Sequence, residues 1–190
     1  IHQCTEIGFG SLGIVAIISV FIGAVSTIQT AYQLVSPLIP PSTIAQIVRD
    51  TVVLEFAPTL VCIVLAGVAG SRIASELGNM RVSEQIDALE IMGIKTKTYL
   101  ILPKVVAALI MIPLLVVIAM ALGIWGGRLA GVASGIIDGY TYDRGLKEFF
   151  DPYTIKFALT KSYVFAFIIG SVPAFYGYFI KGGALEIGRA

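Results

Sequence analysis

The sequence is short of charged residues and of the side chains that carry most enzyme chemistry. Only 13% of its 190 residues are charged, whereas an ordinary soluble domain has roughly 25%. The single histidine is His2, and the two cysteines are Cys4 and Cys62. We therefore expect neither a histidine-dependent active site nor a disulfide framework. A formal net charge of +1 offers no basic surface for nucleic acid, so we expect no nucleic-acid partner.

The sequence also lacks the motifs of several nucleotide-binding and hydrolytic proteins. It contains no G-x-x-x-x-G-K-[ST], the P-loop that cradles the phosphates of ATP. It contains neither the H-E-x-x-H of zinc peptidases nor the G-x-S-x-G of serine hydrolases. We therefore predict no catalytic residue, no metal site and no cofactor in this chain, and we expect that it is not an enzyme.

Long apolar segments make up most of the chain. Hydrophobic residues account for 57% of it, and the mean hydropathy is +0.91. At about 1.5 Å of rise per residue, a helix of roughly 20 residues crosses the hydrocarbon core of a bilayer. Segments of that length or more lie at about 12–34, 44–78, 99–131 and 153–180. We predict an all-α integral membrane protein with four spans, in which residues 1–190 form a single transmembrane domain.

The longest charged stretch, residues 70–93, lies between the second and third spans. Gly78 suits the left-handed residue that closes a helix, and Ser83 suits the N-cap of a following helix. Glu84 would then lie in the first turn, where the helix dipole favours an anion. We predict that the second span ends near Gly78 and that a short amphipathic helix follows at about 83–92. The residues alone allow either a helix that contacts a partner outside the membrane or a helix that only caps the bundle.

The distribution of lysine and arginine predicts the orientation, because short cytoplasmic loops are enriched in both. Residues 71–97 hold four of them, whereas residues 132–152 hold two and residues 35–50 hold one. We therefore predict that residues 71–97 and both ends of the chain lie in the cytoplasm. The other two loops would face the opposite side of the membrane.

The second span contains an ionisable residue, Glu55, three positions before Pro58. An ionisable group within a span usually faces the protein interior or water, because exposure to hydrocarbon is costly. Pro58 has no N–H and therefore cannot form the helical hydrogen bond to the carbonyl of Leu54. The pattern indicates either a functional site, such as the ion or proton site of a secondary transporter, or a glutamate close enough to the interface to stay hydrated.

The motif from Ala69 to Gly93 reads A-G-S-R-I-A-S-E-L-G-x-M-R-V-S-E-Q-I-D-A-L-E-x-M-G, where x marks positions 79 and 91, which carry no part of the resemblance. It resembles the signature of the MlaE/YrbE family, the membrane permeases of ABC-type lipid transporters that work with MCE proteins. The resemblance covers nearly the whole chain. Further matches occur at Val20–Gly23, Gln29, Leu102–Lys104, Pro113–Leu115, Gly123–Gly127, Gly131, Lys161–Ser162, Phe165, Gly182–Gly183 and Gly188–Ala190.

The resemblance implies a permease bundle that works as a homodimer and transports a phospholipid-like lipid. Its partners would be a second copy of itself, an ABC ATPase subunit that holds ATP and magnesium, an MCE-domain protein and the lipid. Its location would be the bacterial inner membrane, or the chloroplast inner envelope in a plant. The family also has an interfacial helix before the first span and a further span at the C-terminal end.

The resemblance also implies two groups of site residues. The helix between the second and third spans docks on the ATPase, and a cavity near the outer halves of the first two spans holds the lipid. The ATPase-coupling residues would be Glu76, Met80, Arg81, Glu84, Gln85, Asp87, Leu89 and Glu90. The lipid-cavity residues would be Ile28, Gln29, Tyr32, Glu55 and Phe56.

The sequence departs from the family pattern around the cavity glutamate. The family reads Arg-Glu-Leu-Gly-Pro, whereas this chain reads Leu54-Glu55-Phe56-Ala57-Pro58. The glutamate and the proline are kept, but the adjacent arginine is replaced by leucine. We therefore expect an unpaired Glu55 in a more apolar site, which would be a poorer partner for an anionic headgroup.

Overall fold

A computed structural model describes residues 2–34 and 40–180 of the chain. Across these ranges the secondary structure is helical and contains no strand, which confirms the predicted all-α fold. The family matches at Gly182–Gly183 and Gly188–Ala190 lie outside the described residues. The helices are α1 (His2–Gln33), α2 (Ser42–Thr51), α3 (Val61–Val82), α4 (Gln85–Ile91), α5 (Leu102–Ala133), α6 (Gly139–Lys147) and α7 (Pro152–Tyr178).

Two π-helical stretches extend the long helices. Val52–Leu60 joins α2 to α3, and Lys97–Ile101 leads into α5. In the described part of the chain, four helical stretches are long and apolar enough to cross a membrane, and each overlaps one of the predicted spans. They are Ile7–Gln33, Ser42–Val82, Lys97–Ala133 and Pro152–Tyr178. This chain is therefore a multi-pass membrane protein.

The sequence predicted that the second span ends near Gly78, but the structure shows that it continues past this residue. Helix α3 continues to Val82, because Leu77 and Gly78 are buried and packing of this turn outweighs the preference of glycine for a helix end. Ser83 is not an N-cap, since its hydroxyl donates to the carbonyl of Asn79 at 2.6 Å. The N-cap of α4 is Glu84, in the left-handed region at φ 58°, and the short helix covers residues 85–91.

The described chain divides into two compact units, whose boundaries fall inside long helices. The first unit consists of the described parts of Ile1–Ser11, Cys62–Pro113 and Tyr163–Ala190, and it includes α4. Small residues allow its helices to approach closely. A Cβ added to Gly177 of α7 would lie 2.7 Å from the carbonyl oxygen of Ala74. The buried core of this unit is formed by Ile7, Ala69, Ile73, Leu77, Ala107 and Ala174.

The second unit consists of Leu12–Val61 and Leu114–Ser162, apart from the residues that are not described. Its α1 and α5 cross at Gly23 and Gly123, where a Cβ on Gly23 would lie 1.8 Å from the carbonyl oxygen of Gly123. Helix α6 lies in the segment 132–152, which the sequence analysis treated as a loop. Its N-cap is Asp138, whose carboxylate accepts the N–H of Tyr140 at 3.1 Å. That the whole chain behaves as a single domain stays a prediction.

Candidate functional site

Glu55 lies beside a lysine from another helix of the second unit. The ammonium nitrogen of Lys161 on α7 is 3.4 Å from Oε1 of Glu55. It also donates a hydrogen bond of 3.0 Å to the carbonyl oxygen of Leu54 and lies 4.8 Å from the centre of the Phe157 ring. The expectation of an unpaired Glu55 is therefore wrong. The cation comes from α7 instead of from the neighbouring position in the sequence.

Pro58 explains why the carbonyl of Leu54 can serve as a lysine acceptor. Pro58 lies within the π-helical stretch and has no N–H, so the carbonyl four residues earlier lacks its α-helical donor. The ammonium of Lys161 binds at that position. Departures from regular α-helix of this kind often occur at functional sites. The lysine is thus held between a backbone carbonyl and a carboxylate, with an aromatic ring against it.

The pair is accessible from outside the unit. The side chain of Glu55 is 63% exposed and that of Lys161 is 27% exposed, although both belong to predicted spans. An exposed ion pair in water contributes about 1 kcal/mol or less to stability, so stability alone does not account for two ionisable groups in apolar helices. Such groups usually face a water-filled cavity or a polar ligand. The geometry therefore leaves both charged groups open to water or to a polar ligand.

The remaining predicted cavity residues lie in the same unit but do not form one cluster. Phe56 packs with Ala31 and Leu34, from the end of α1, against the buried face of α2. Ile28 is half-buried, whereas Gln29 and Tyr32 are exposed on α1. Among the described residues no hydrogen bond joins Gln29 or Tyr32 to Glu55. The assignment of these five residues to a lipid cavity stays a prediction.

Helix α4 is fixed to the first unit at both of its ends. Ile86 is fully buried. Nη1 of Arg81, in the last turn of α3, lies 2.6 Å from Oδ1 of Asp87 and braces the turn between the two helices. At the other end Oε1 of Glu90 accepts hydrogen bonds from Thr96 and Tyr178, each at 2.9 Å. A short helix held in this way presents its outer face in a defined orientation.

Among the eight predicted coupling residues, four have charged side chains that are paired within this chain. Besides Arg81, Asp87 and Glu90, the carboxylate of Glu76 pairs with the buried ammonium of Lys104 on α5. The side chains of the other four are half-buried or exposed. They are Met80, Glu84, Gln85 and Leu89.

Two apolar residues near the end of α4 were not among the predicted coupling residues. Ile91 is 88% exposed and Met92 is 66% exposed. Both lie within the segment from Ala69 to Gly93, but the predicted coupling residues of this helix ended at Glu90. The signal that could have found them is their position on the opposite side of the short helix from Ile86, which is the buried residue.

Two carboxylates outside the spans have lowered pKa values. Hydrogen bonds from Thr96 and then from Tyr178 lower the pKa of Glu90, and the nearby charges of Arg81 and Lys97 act in the same direction. In the second unit, the hydrogen bond from Arg128 lowers the pKa of Asp143. Both carboxylates are therefore ionised at neutral pH. No group of three or more His, Cys, Asp or Glu side chains in the described ranges could hold a metal ion.

A comparison with known protein families gives a match that spans all 190 residues. Residues 1–190 match the family described as Permease MlaE. This chain belongs to the MlaE permease family. The resemblance found in the signature segment is thereby confirmed, and so is the all-α membrane permease fold.

Several curated relatives of this MlaE permease have names that report a role. It is 38% identical to a probable ABC transporter permease protein of Rickettsia bellii, over all of this chain and 73% of that protein. It is 32% identical to the chloroplastic protein TRIGALACTOSYLDIACYLGLYCEROL 1 of Arabidopsis thaliana, over all of this chain and 54% of that protein. It is 30% identical to the intermembrane phospholipid transport system permease protein MlaE of Haemophilus influenzae, over 94% of this chain and 68% of that protein.

These comparisons decide between the broad classes of function that the sequence left open. An MlaE permease of an ABC transporter is a transport subunit, so the family supports a non-enzymatic role. The alternative of an ion-coupled secondary transporter that uses Glu55 is not favoured, because the named relatives are ABC transporter permeases. The role of each predicted site residue is not decided by these comparisons.

Proposed function

We propose that this MlaE permease is the membrane subunit of an ABC transporter that moves a phospholipid-like lipid between the bacterial inner membrane and an MCE-domain protein. Two copies would form the permease, and a separate ATPase subunit would bind ATP and magnesium. The phospholipid transport named for the Haemophilus influenzae relative supports the substrate class. A plant chain of the same family would act in the chloroplast, as the name of the chloroplastic relative suggests.

The observation that carries this proposal is the construction of α4. It is short, it is anchored by Ile86 and by the Arg81–Asp87 pair, and it exposes Ile91 and Met92. The loop charges predict that this segment lies on the cytoplasmic side, where an ABC ATPase works. Exposed apolar side chains on a rigid helix are the kind of residues that dominate binding energy at interfaces. We infer that α4 docks on the ATPase through these two residues, supported by Glu84 and Gln85.

The proposed mechanism is mechanical, because the motifs for ATP chemistry are absent from this chain. ATP binding and hydrolysis in the partner would move α4, and α4 would move the helices to which it is bound. The site around Glu55 and Lys161 would then change its affinity for a lipid headgroup. A cycle of this kind transports lipid only if the lipid binds the two states with different affinities.

Replacing Ile91 and Met92 together with alanine tests the docking surface. Burial of two such side chains contributes on the order of 3 kcal/mol, so we expect the amount of ATPase that co-purifies with the permease to fall about tenfold or more. Insertion into the membrane should be unchanged. A matched control replaces Leu114 and Val117 with alanine, since these are exposed apolar residues of α5 within a span.

The Ile91 and Met92 variant is a sharper test than substitution of Arg81, because loss of Arg81 also removes the brace to Asp87. Undiminished ATPase binding by the double variant would contradict docking through these residues. A wild-type permease from its own membrane that retains no ATPase under mild detergents would contradict the proposed function itself.

A further inference from the structure

Three polar side chains join α4 to two other helices of the first unit. Glu90 lies in the last turn of α4, Thr96 immediately precedes the π-helical stretch that leads into α5, and Tyr178 is the last residue of α7. Oε1 of Glu90 accepts from the hydroxyl of Thr96 at 2.9 Å and from the hydroxyl of Tyr178 at 2.9 Å. The two hydroxyl oxygens are 2.8 Å apart. One carboxylate oxygen therefore connects three helical elements.

The two donors are buried. Thr96 is 3% exposed and Tyr178 is 4% exposed. Each hydroxyl has one hydrogen, which it can donate to Glu90 or to the other hydroxyl, and the ionised carboxylate is the stronger acceptor. If Glu90 moved away, two buried hydroxyls would lose their charged acceptor, which is unfavourable. The arrangement therefore resists separation of α4 from the end of α7.

The chain itself provides no short connection between α4 and α7. Helix α4 is linked to α5 by a turn in which Gly93 is left-handed at φ 80° and its N–H donates to the carbonyl of Glu90 at 2.9 Å. Helix α7 lies far away along the sequence, and Tyr178 reaches α4 only through side chains. Helix α7 runs without interruption from Pro152 to Tyr178 and also carries Lys161. A movement of α4 that is passed to Tyr178 therefore acts on the same helix that holds the partner of Glu55.

We propose that Glu90, Thr96 and Tyr178 are positioning residues that pass the movement of α4 to α7 and α5 during transport. This inference rests on the proposed function, because it presupposes an ATPase that moves α4. In this inference Glu90 connects α4 to α5 and α7 within the permease, whereas Ile91 and Met92 make the contacts to the ATPase. Loss of the connection should leave the ATPase bound and active but reduce the amount of lipid moved per ATP hydrolysed.

The test uses the full-length permease with its co-purified ATPase and MCE-domain partner. The complex is reconstituted in vesicles of phosphatidylethanolamine and phosphatidylglycerol that contain a trace of fluorescent phosphatidylethanolamine. Two rates are measured on the same preparation, ATP hydrolysis and transfer of the labelled lipid. For Tyr178→Phe we expect wild-type amounts of bound ATPase and a ratio of lipid transferred to ATP hydrolysed that falls at least threefold.

Tyr176→Phe is the matched control, because it removes a hydroxyl from the same helix two residues away. Tyr176 is 57% exposed, and its ring contacts Phe175. This variant should keep the wild-type ratio. Glu90→Gln retains an acceptor oxygen and should keep more of the ratio than Glu90→Ala. Thr96→Val provides a second variant of the connection in which the overall shape of the side chain is kept.

The outcomes separate this inference from the function on which it rests. If Tyr178→Phe and Glu90→Ala both keep the wild-type ratio while the ATPase remains bound, the connection is wrong and the proposed function stands. If both variants lose the ATPase, Glu90 and Tyr178 belong to the docking surface and the inference is again overturned. If the wild-type complex contains no ATPase, both proposals fail.

Discussion

Lys161 binds two acceptors at once, the carbonyl oxygen of Leu54 and the carboxylate of Glu55. Removing the lysine would leave both acceptors without a cation in an apolar span, whereas removing only the charge of Glu55 would keep the contact to Leu54. Hydrogen bonds to charged groups contribute about 1.5–3 kcal/mol, and each 1.4 kcal/mol changes an equilibrium about tenfold. Removing the lysine should therefore have a larger effect on lipid binding and transfer than removing the charge of Glu55.

For Lys161→Met we expect the amount of co-purified phospholipid and the rate of lipid transfer to fall about tenfold. For Glu55→Gln we expect a change of about two- to threefold, since the amide oxygen still accepts from the lysine. Lys156→Met, an exposed lysine on the same helix, is the control and should have no effect. If lipid binding is unchanged in both Lys161→Met and Glu55→Gln, the pair has only a structural role.

The pair between Arg128 and Asp143 gives a pH dependence with a definite sign. The hydrogen bond from Arg128 lowers the pKa of Asp143, and the charge of Lys147 acts in the same direction. A carboxylate whose pKa is lower in the folded state stabilises the fold above its unfolded pKa of about 3.9 and loses that effect as the pH falls through the folded value. The Tm difference between wild type and Asp143→Asn should be constant from pH 7 to about 4.5.

Below about pH 4 the same difference should shrink, because the wild-type carboxylate then becomes protonated as well. The Tm difference is measured by thermal unfolding of both proteins in detergent at closely spaced pH values. Asp138→Asn serves as the comparison for a nearby carboxylate whose contact is the N-cap of α6. A Tm difference for Asp143→Asn that grows towards acid pH would have the wrong sign for this pair.

At the scale of helices, the long apolar segments were sufficient to predict four spans, and the charged stretch at residues 70–93 predicted the short helix between the second and third. The ends of those helices were not predictable in the same way. Gly78 has the local preferences of a helix end, but it is buried and α3 continues past it. Helix α6 was missed because a nine-residue helix rich in charged and polar side chains has no long apolar pattern. In both cases, the end of α3 and the presence of α6, packing against other helices outweighs the local sequence preference.

The site shows the same division between local and long-range information. Sequence alone drew attention to Glu55 and Pro58, since both are unusual inside a span. It could not place Lys161 against Glu55, because the two residues are 106 positions apart and nothing local links them. The lysine carried a signal of its own, since a cation in an apolar helix needs a polar partner. The pairing of Glu90 with Tyr178 likewise depends on the arrangement of helices in space.

Helices α2 and α6 are joined by Arg49, which is buried. Its Nη1 donates to the carbonyl oxygens of Leu146 and Glu148, at 2.8 and 2.9 Å, at the end of α6. Its guanidinium also pairs with Asp50 and lies over the ring of Phe150. The last carbonyls of a helix lack intrahelical donors, so Arg49 satisfies groups that would otherwise be unpaired.

Replacing Arg49 with methionine should therefore destabilise the second unit. Leaving buried carbonyls unsatisfied costs about 1–3 kcal/mol, which for a chain of this size lowers the Tm by roughly 2–12 °C. Arg144→Met is the control, since Arg144 is an exposed residue of α6 whose pair with Glu148 should contribute little. Equal Tm changes for the two variants would show that Arg49 does not hold α6 in place.

At the scale of the whole molecule, the predicted orientation in the membrane would place each proposed site on the side of its proposed partner. The loop charges predict α4 in the cytoplasm and α6 on the opposite side. Single cysteines test this in a background where Cys4 and Cys62 are replaced by alanine. Glu84→Cys should react with a membrane-impermeant maleimide only in inverted vesicles. Arg144→Cys should react only in right-side-out cells, and the reverse pattern would place α4 away from any cytoplasmic ATPase.

The composition of the complex is the most direct test of the proposed function. Native mass spectrometry of the full-length protein, released gently from its own membrane, should show two permease copies, two ATPase copies, the MCE-domain protein and a bound phospholipid. The same measurement on the Ile91 and Met92 double alanine variant should show the permease dimer without ATPase, because the exposed apolar face of α4 is lost. The Lys161→Met variant should show the reverse, with the ATPase bound and less lipid. A lone permease without a nucleotide-binding partner, found repeatedly in mild detergents, would instead favour transport that depends on Glu55 as an ionisable site.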